Sequence, residues 1–395
     1  MQIDIDALET YNDLARDGAE SAAASLSQLT GIQTRVDVTN VSLASAADLR
    51  YEFVGREFAG VRIALGGAFS GETVLAFDDR AREAITDVLA PDGTMERSAV
   101  EEVGNIMMSG FIDGWADHLD TGIDMSPPTY VEGSGEEMLP TNVASGEQLM
   151  MFRSRVQAVD EAVDFRICLM PERATMAEAM EPPSDSGIDF EKLEVFNEMT
   201  AAGSANAAGN ISTMTGIDAD LEVNRMSFVP IEDVPAQVGD ERYVGTVLQY
   251  EGSIGGYLVI LFDQPSARAV VDAMMPGGSE DGWGEMEQSA LEELCNIMTS
   301  GFIDGWANVL ESEIQHSPPQ FVADMGSSIL SPVVGRMAES QEHAFLLDST
   351  IETADDRAFR CELFALPNER ELTAALDALL VERADQLEAD PSEVF

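Results

Sequence analysis

Apolar side chains recur at Val100, Val103, Met107 and Phe111, and again at Leu291, Leu294, Met298 and Phe302. This three- and four-residue spacing belongs to a helix docked through one face. At about 100° per residue, Ser98, Glu102, Asn105 and Ser109 fall within roughly 60° of one another on the opposite side. The second stretch repeats that polar stripe with Ser289, Glu293 and Asn296. Strand-like alternation occupies Val61 to Leu65 with Thr73 to Phe77, and Tyr243 to Tyr250 with Gly256 to Phe262. Two further hairpins, Gln148 to Val156 with Phe165 to Met170 and His343 to Ile351 with Phe359 to Leu366, follow the motif helices. Short helices are expected at Asp79 to Leu89 and Pro265 to Met275. An alanine-rich helix from Leu8 to Ser27 closes at Thr30-Gly31-Ile32, echoed by Thr215-Gly216-Ile217.

The order of elements is repeated, so the chain reads as two tandem units of an α+β fold with antiparallel hairpins packed against long helices. The expected boundaries are 1–175 for unit 1, a Pro-containing linker at 176–187, unit 2 at 188–381 and an acidic tail at 382–395. A tolerant loop at Ser279 to Gly284 accounts for the extra length of the second copy. With 395 residues, each unit is long enough to bury its own core.

The repeat sharpens the chemistry. Each copy carries Met-Glu-x-Ser-Ala-x-Glu-Glu-x-x-Asn, then Ser-Gly-Phe-Ile-Asp-Gly-Trp-Ala and Ser-Pro-Pro. A Glu and an Asn one turn apart, about 4.5 Å along the axis, form a compact two-pronged group. An isolated Glu-x-x-Asn is ordinary surface polarity, but here Ser98, Glu102, Asn105 and Pro128 all match Ser289, Glu293, Asn296 and Pro319. Pro128 and Pro319 suit the first residue of a strand, and Ser98 and Ser289 suit helix caps or minor docking contacts. Worn copies of the pattern, Glu9 with Asn12 and Glu194 with Asn197, lie on the first long helix of each unit. There Ile5 and Phe190 stand in place of Ser, and Arg35 and Asp220 in place of Pro.

Composition narrows the partners. Asp and Glu number 73 against 21 Lys and Arg, a net charge of -52, which excludes the cationic surface that nucleic acid requires. Cys168, Cys295 and Cys361 are scattered and unpaired, and His118, His316 and His343 have no metal-ligand spacing, so no metal of the chain's own is expected. The glycines between strands serve turns rather than a phosphate loop. No basic and apolar leader begins the chain and its apolar runs are strand-sized, so a soluble, cytoplasmic protein without membrane insertion is expected.

The pattern Ser, Glu102, Asn105 and Pro128, met again at Ser289, Glu293, Asn296 and Pro319, resembles the CheC, CheX and FliY family of chemotaxis phosphatases across nearly the whole chain. That resemblance implies two CheC-like units with internal pseudo-twofold symmetry. It implies a substrate, the phosphorylated response regulator CheY, whose acyl phosphate carries its own Mg²⁺, and no cofactor of the chain's own. Asn105 and Asn296 would orient the attacking water, and Glu102 and Glu293 would pair with the regulator's lysine. Glu9, Asn12, Glu194 and Asn197 would be weaker second sites. The deamidase CheD or another chemotaxis adaptor is a further implied partner. A non-catalytic module tethering phosphorylated CheY to chemotaxis or motility-switch components is the competing reading.

Such an excess of carboxylates strains the compact state by self-repulsion, and molar salt shortens the Debye length to about 3 Å. The composition therefore points to a salt-rich, halophilic setting. Thermal unfolding followed by circular dichroism is expected to show a rising midpoint between dilute buffer and molar KCl. A midpoint that stays level would contradict it.

Overall fold

The computed structural model describes residues 2–3, 5–45, 48–49, 53, 57–139, 148–158, 164–179, 188–238, 241–275, 282–310, 312–353 and 359–379. They form two compact units, Met1–Gly187 and Ile188–Phe395. The expected acidic tail and most of the expected linker lie outside the described residues. The front of that linker is instead the end of a helix, Arg173–Ala179.

Unit 1 runs α1 (Ile5–Thr30), β1 (Thr34–Ser45), β2 (Phe58–Gly67), β3 (Gly71–Asp78), α2 (Asp79–Leu89), α3 (Glu96–His118), β4 (Ile123–Met125), β5 (Thr129–Gly133), β6 (Gln148–Ala158), β7 (Asp164–Pro171) and α4 (Arg173–Ala179). Its sheet has the order β1-β6-β7-β3-β2-β4, with β5 also on β2, and each of these pairings is antiparallel. Unit 2 runs α5 (Phe190–Thr215), β8 (Ala219–Pro230), α6 (Val234–Val238), β9 (Arg242–Gly252), β10 (Gly256–Asp263), α7 (Gln264–Met274), α8 (Glu285–Leu310), β11 (Ile314–His316), β12 (Gln320–Met325), α9 (Gly326–Met337), β13 (His343–Thr353), β14 (Arg360–Pro367) and α10 (Glu369–Ala378). The same path recurs as β8-β13-β14-β10-β9-β11, with β12 on β9. Even the register irregularity repeats, at Val36/Val38 in β1 and Leu221/Val223 in β8.

Local sequence explains the element ends. Gly31 and Gly216 take left-handed backbone at φ 78° and 70°, and their amides return to Ser27 O and Ser212 O at 2.9 Å. Asp78 and Asp263 cap α2 and α7, each accepting a backbone N–H at 2.7 Å, from Ala81 and Ser266 respectively.

In each unit the two long helices pack together on one face of the sheet. α1 crosses α3 where Gly18 faces the Phe111 ring, and α5 crosses α8 where Gly203 faces Phe302; a Cβ on either glycine would come within 3 Å of the partner helix. Behind the crossing in unit 1, Trp115 stacks on Tyr11 with centroids 5.6 Å apart. The unit 2 counterpart, Trp306, donates its indole N–H to Thr200 Oγ1 at 3.1 Å. Ala15 stands where Thr200 does, so the buried Trp115 Nε1 finds no such acceptor.

The other face of each sheet is covered differently. In unit 2, α9 lays Ile329, Leu330, Val333 and Met337 over Val259, Leu261, Leu346 and Phe364. In unit 1, Leu49, Phe53 and Met138 cover Phe58, Val74, Met151 and Cys168. α10 spaces its buried Leu372 and Leu376 one turn apart and lies beyond the expected elements, whereas α9 is not legible from periodicity. α9 opens on Gly326 and contains Pro332 and Gly335, which read as breakers. The long strands β1 and β8 carry buried polar residues, among them Asn40, Ser42 and Asn224, that mask their apolar alternation.

Unit 2 carries a titratable cluster there, with Asp348 and Glu362 buried and Arg360 exposed. Arg225 reaches Asp348 at 2.6 Å, and Arg360 reaches Glu362 at 2.7 Å. Burial pushes the Glu362 carboxyl up to about 7, against the pull of Arg360. The folded state therefore takes up a proton that the unfolded chain releases near its ordinary value of 4.5. This contribution is complete below the unfolded value and is lost as pH rises through about 7, at most about 3 kcal/mol in all. Glu362→Gln is expected to lose less stability than the parent chain between pH 5 and 8. Denaturant melts of both at each pH would read the difference, and parallel curves would contradict it.

Candidate functional site

The motif helices are α3 and α8. On α3, Val100, Val103, Met107 and Phe111 are buried, as are Leu291, Leu294, Met298 and Phe302 on α8. Each helix is thereby rotated so that its polar stripe looks outward. Ser98, Glu102 and Asn105 are exposed, as are Ser289 and Glu293, while Asn296 is half-buried. Pro128 and Pro319 are half-buried and immediately precede β5 and β12. Ser98 and Ser289 lie inside their helices rather than at the caps, which removes the capping role.

The Ser-Pro-Pro segment is pinned by a device the sequence pattern left unassigned. Ser126 N–H donates to Ala64 O at 2.9 Å, and Ala64 N–H donates to Ser126 Oγ at 3.0 Å. Ser317 does the same with Gln249 at 2.8 and 3.1 Å. The serine thus clamps the proline turn onto the strand beneath the motif helix. One turn beyond each motif Asn, Ser109 and Ser300 return their hydroxyls to the carbonyls of Asn105 and Asn296 at 2.8 and 3.1 Å.

The worn copies fare differently. Asn12 and Asn197 are buried, at 0% and 1% exposure, and Glu9 and Glu194 are half-buried. Asn197 is tied into the core, accepting from Asn224 Nδ2 at its carbonyl (2.9 Å) and its side-chain oxygen (3.0 Å). Asn224 in turn accepts from Ser349 Oγ at 3.0 Å. In unit 1 the counterpart of Asn224 is Thr39, whose hydroxyl is 3.2 Å from Ser154 Oγ, and neither amide atom of Asn12 has a hydrogen-bond partner. The expectation of second sites at Glu9/Asn12 and Glu194/Asn197 is therefore corrected: both amides are buried, where no docking protein reaches them. Helical phase relative to the core decides this, and a four-letter spacing does not report it.

The two motif helices differ at their flanks. In unit 1, Arg97 lies over the Tyr130 ring at 4.7 Å and within 3.5 Å of Glu101. In unit 2, Gln288 replaces it and donates to Trp283 O at 2.8 Å, and Glu292 accepts the Phe321 N–H at 3.2 Å. Trp283 sits beside Phe321 and under the Arg268 guanidinium, 4.0 Å from its ring centre. His316 approaches Ser300 to 3.5 Å, where unit 1 has Met125.

Between Glu and Asn, the inward-facing residue sets how closely each helix approaches the sheet. In unit 1 it is Gly104, against Val61; in unit 2 it is Cys295, against Thr246. The strand residue keeps its branched shape while the helix gains a side chain. Burial pushes the Cys295 thiol up to about 12, with the Thr246 hydroxyl pulling the other way, which makes it a core group rather than a nucleophile. Cys168 and Cys361 are likewise buried. Among the described residues, no cluster of three or more His, Cys, Asp or Glu could hold a metal ion, and no helix is long and apolar enough to cross a membrane.

A family model for the CheC-like family matches residues 95–132 and 286–323, the two motif helices and their proline strands. The CheC1 protein of Halobacterium salinarum is 35% identical over 183 residues, 46% of this chain and 92% of that protein. The CheY-P phosphatase CheC of Bacillus subtilis is 21% identical over 190 residues, 46% of this chain and 91% of that protein. Among solved structures, Thermotoga maritima FliY aligns with 48% of this chain and 96% of its own length, at 17% identity and a TM-score of 0.39.

The approach of α3 to β2 is open to a double-mutant cycle. A Cβ at Gly104 would stand 2.4 Å from Val61 Cγ2, so Gly104→Ala is expected to destabilise unit 1 by about 1–3 kcal/mol. Val61→Ala in the same chain should recover part of that loss. Additive losses in denaturant melts would show that the two side chains do not share the space.

Proposed function

The chain belongs to the CheC-like family, and from that premise we propose that it hydrolyses the aspartyl phosphate of a phosphorylated CheY-type response regulator. The observation that carries this reading is the outward display of Glu102 with Asn105, and of Glu293 with Asn296, on helices anchored by their opposite faces. The relative in Bacillus subtilis is named as a CheY-P phosphatase, which supports the same substrate class.

An acyl phosphate on a regulator that holds its own Mg²⁺ needs little added chemistry, because metal and lysine already neutralise the phosphoryl oxygens. What is missing is a water held in line. A side-chain amide both donates to and accepts from water, and it adds no negative charge near the phosphoryl group as a carboxylate would. Asn105 and Asn296 fill this role by proximity and orientation, without a shifted pKa. Glu102 and Glu293, one turn earlier on each stripe, pair with the regulator's lysine and set the docking register. Pro128 and Pro319, pinned through Ser126 and Ser317, shape the rim beside the helix. The reaction requires no metal or cofactor of the chain's own and belongs in the cytoplasm with its substrate. An adaptor such as the deamidase CheD is a further partner under this proposal.

The duplication of the exposed motif also suits a bivalent tether that binds phosphorylated regulator without turnover. Phosphoryl lifetime separates the two. The parent chain at substoichiometric amounts is expected to shorten the lifetime of CheY phosphate. Asn105→Ala with Asn296→Ala should fold normally and lower the rate by about a hundredfold or more. A lifetime unchanged or prolonged by the parent chain would leave only the tether, and full activity in the folded double variant would remove both amides from the mechanism.

A further inference from the structure

The repeated string begins with a methionine, Met95 and Met286, to which the water-orienting mechanism assigns no part. Among the described residues only four large apolar side chains are exposed: Val88 and Leu89 at 47% and 39%, and Met95 and Met286 at 73% and 70%. Single exposed apolar residues are common on protein surfaces. These two are set apart by recurring at one position of both copies and by being the most exposed of the four.

Their place is informative. On the helical wheel Met286 falls within roughly 80° of Ser289, Glu293 and Asn296, at the N-terminal end of the same stripe. It lies about 15 Å along the axis from Asn296. A protein docking over the Glu and Asn, with a typical footprint of about 800 Å² per partner, covers that distance. Met95 holds the equivalent sequence position, immediately before its motif helix rather than within it. Its backbone is left-handed at φ 69°, outside the first turn of α3, while Met286 is helical. A turn at Asp92 sets the entry, with Thr94 donating its N–H and hydroxyl to Asp92 Oδ1 at 3.0 and 2.7 Å. A non-glycine residue in this conformation costs roughly 1–2 kcal/mol, and the chain bears that cost at the rim of the motif stripe.

The surroundings favour an apolar anchor. Glu96, Glu101 and Glu102 in unit 1, and Glu285, Glu292 and Glu293 in unit 2, crowd the same stretch of helix. In molar salt, charge contacts at such a rim are screened beyond about 3 Å, whereas burial of a thioether side chain is not. Methionine is also unbranched and polarisable, and it adapts to shallow, uneven surfaces.

We propose that Met95 and Met286 are apolar anchors for the docking regulator, each entering a shallow apolar depression on the regulator beside its phosphorylation site. The inference rests on the docking face proposed above and adds a contact that neither the water-orienting amide nor the lysine-pairing carboxylate provides. The anchors act on affinity and leave the chemical step alone.

The test uses the full chain carrying Met95→Ser with Met286→Ser, and a companion with Leu at both positions. Two readouts are taken in molar KCl: steady-state hydrolysis of CheY phosphate, and binding of the regulator charged with beryllofluoride. The serine variant is expected to raise KM and Kd by about tenfold or more with kcat unchanged, and leucine should restore most of the affinity. Melting temperature should stay level, since both side chains are largely exposed. Unchanged KM and Kd, or a loss that tracks a fall in melting temperature, would overturn the anchor. If the parent chain binds the regulator without hydrolysing it, the phosphatase reading fails while the Kd comparison still decides the anchor. If the parent does not bind at all, both fall.

Discussion

The burial of one apolar stripe on each motif helix is the constraint from which the site follows. Val100, Val103, Met107 and Phe111, with their four counterparts on α8, lock each helix in rotation against the sheet and the neighbouring long helix. Rotation is what matters here, because a turn of about 100° would carry the amide of Asn105 from solvent into the core. Asn12 and Asn197 show the alternative: the same spacing in another helical phase gives buried amides. The rigid elements thus set the direction in which an otherwise ordinary Glu and Asn point, and the Ser-Pro-Pro clamp sets the rim beside them.

The two units keep this arrangement while exchanging many of its supports. Gly104 on Val61 becomes Cys295 on Thr246, and Arg97 over Tyr130 becomes Trp283 beside Phe321. Trp306 gains a hydroxyl acceptor that Trp115 lacks, and Asn197 gains the Asn224 network. The exchanges are not all balanced: unit 1 leaves the Trp115 indole N–H and the Asn12 amide buried without a hydrogen-bond partner, where unit 2 satisfies both. The outward stripe from Met through Ser and Glu to Asn is identical in both copies. Buried Ala99, Met107, Phe111, Ile112 and Trp115 are also repeated unchanged in α8, as packing accounts for; packing makes no such demand of an exposed stripe, and recognition of another protein would.

The acidic surface bears on how such recognition can work. A net charge of -52 leaves few cations for steering, and those present near the first motif are engaged by Glu132, Asp79 and Glu101. In the salt that relieves this self-repulsion, long-range attraction is screened. Specificity then depends on short-range contact: a carboxylate against a lysine, an amide on a water, and an exposed methionine against an apolar surface.

Much of the architecture was legible in the residues themselves. Periodicity located the motif helices, and it placed the hairpins and the short helices within about three residues at their ends, because each buries a single face and so shows one period. Duplication marked the two units. Besides the short helices α4, α6 and α10, the sequence expectations missed α9, whose Pro332 and Gly335 read as breakers, β1 and β8, whose buried polar residues blur the alternation, and the fate of Asn12 and Asn197. The sequence alone determined which residues could form a two-pronged group and how far apart they stand along a helix. Only the tertiary structure decided which of those groups face outward, because helical phase is set by the whole packed interface, and no short spacing encodes the direction of the core.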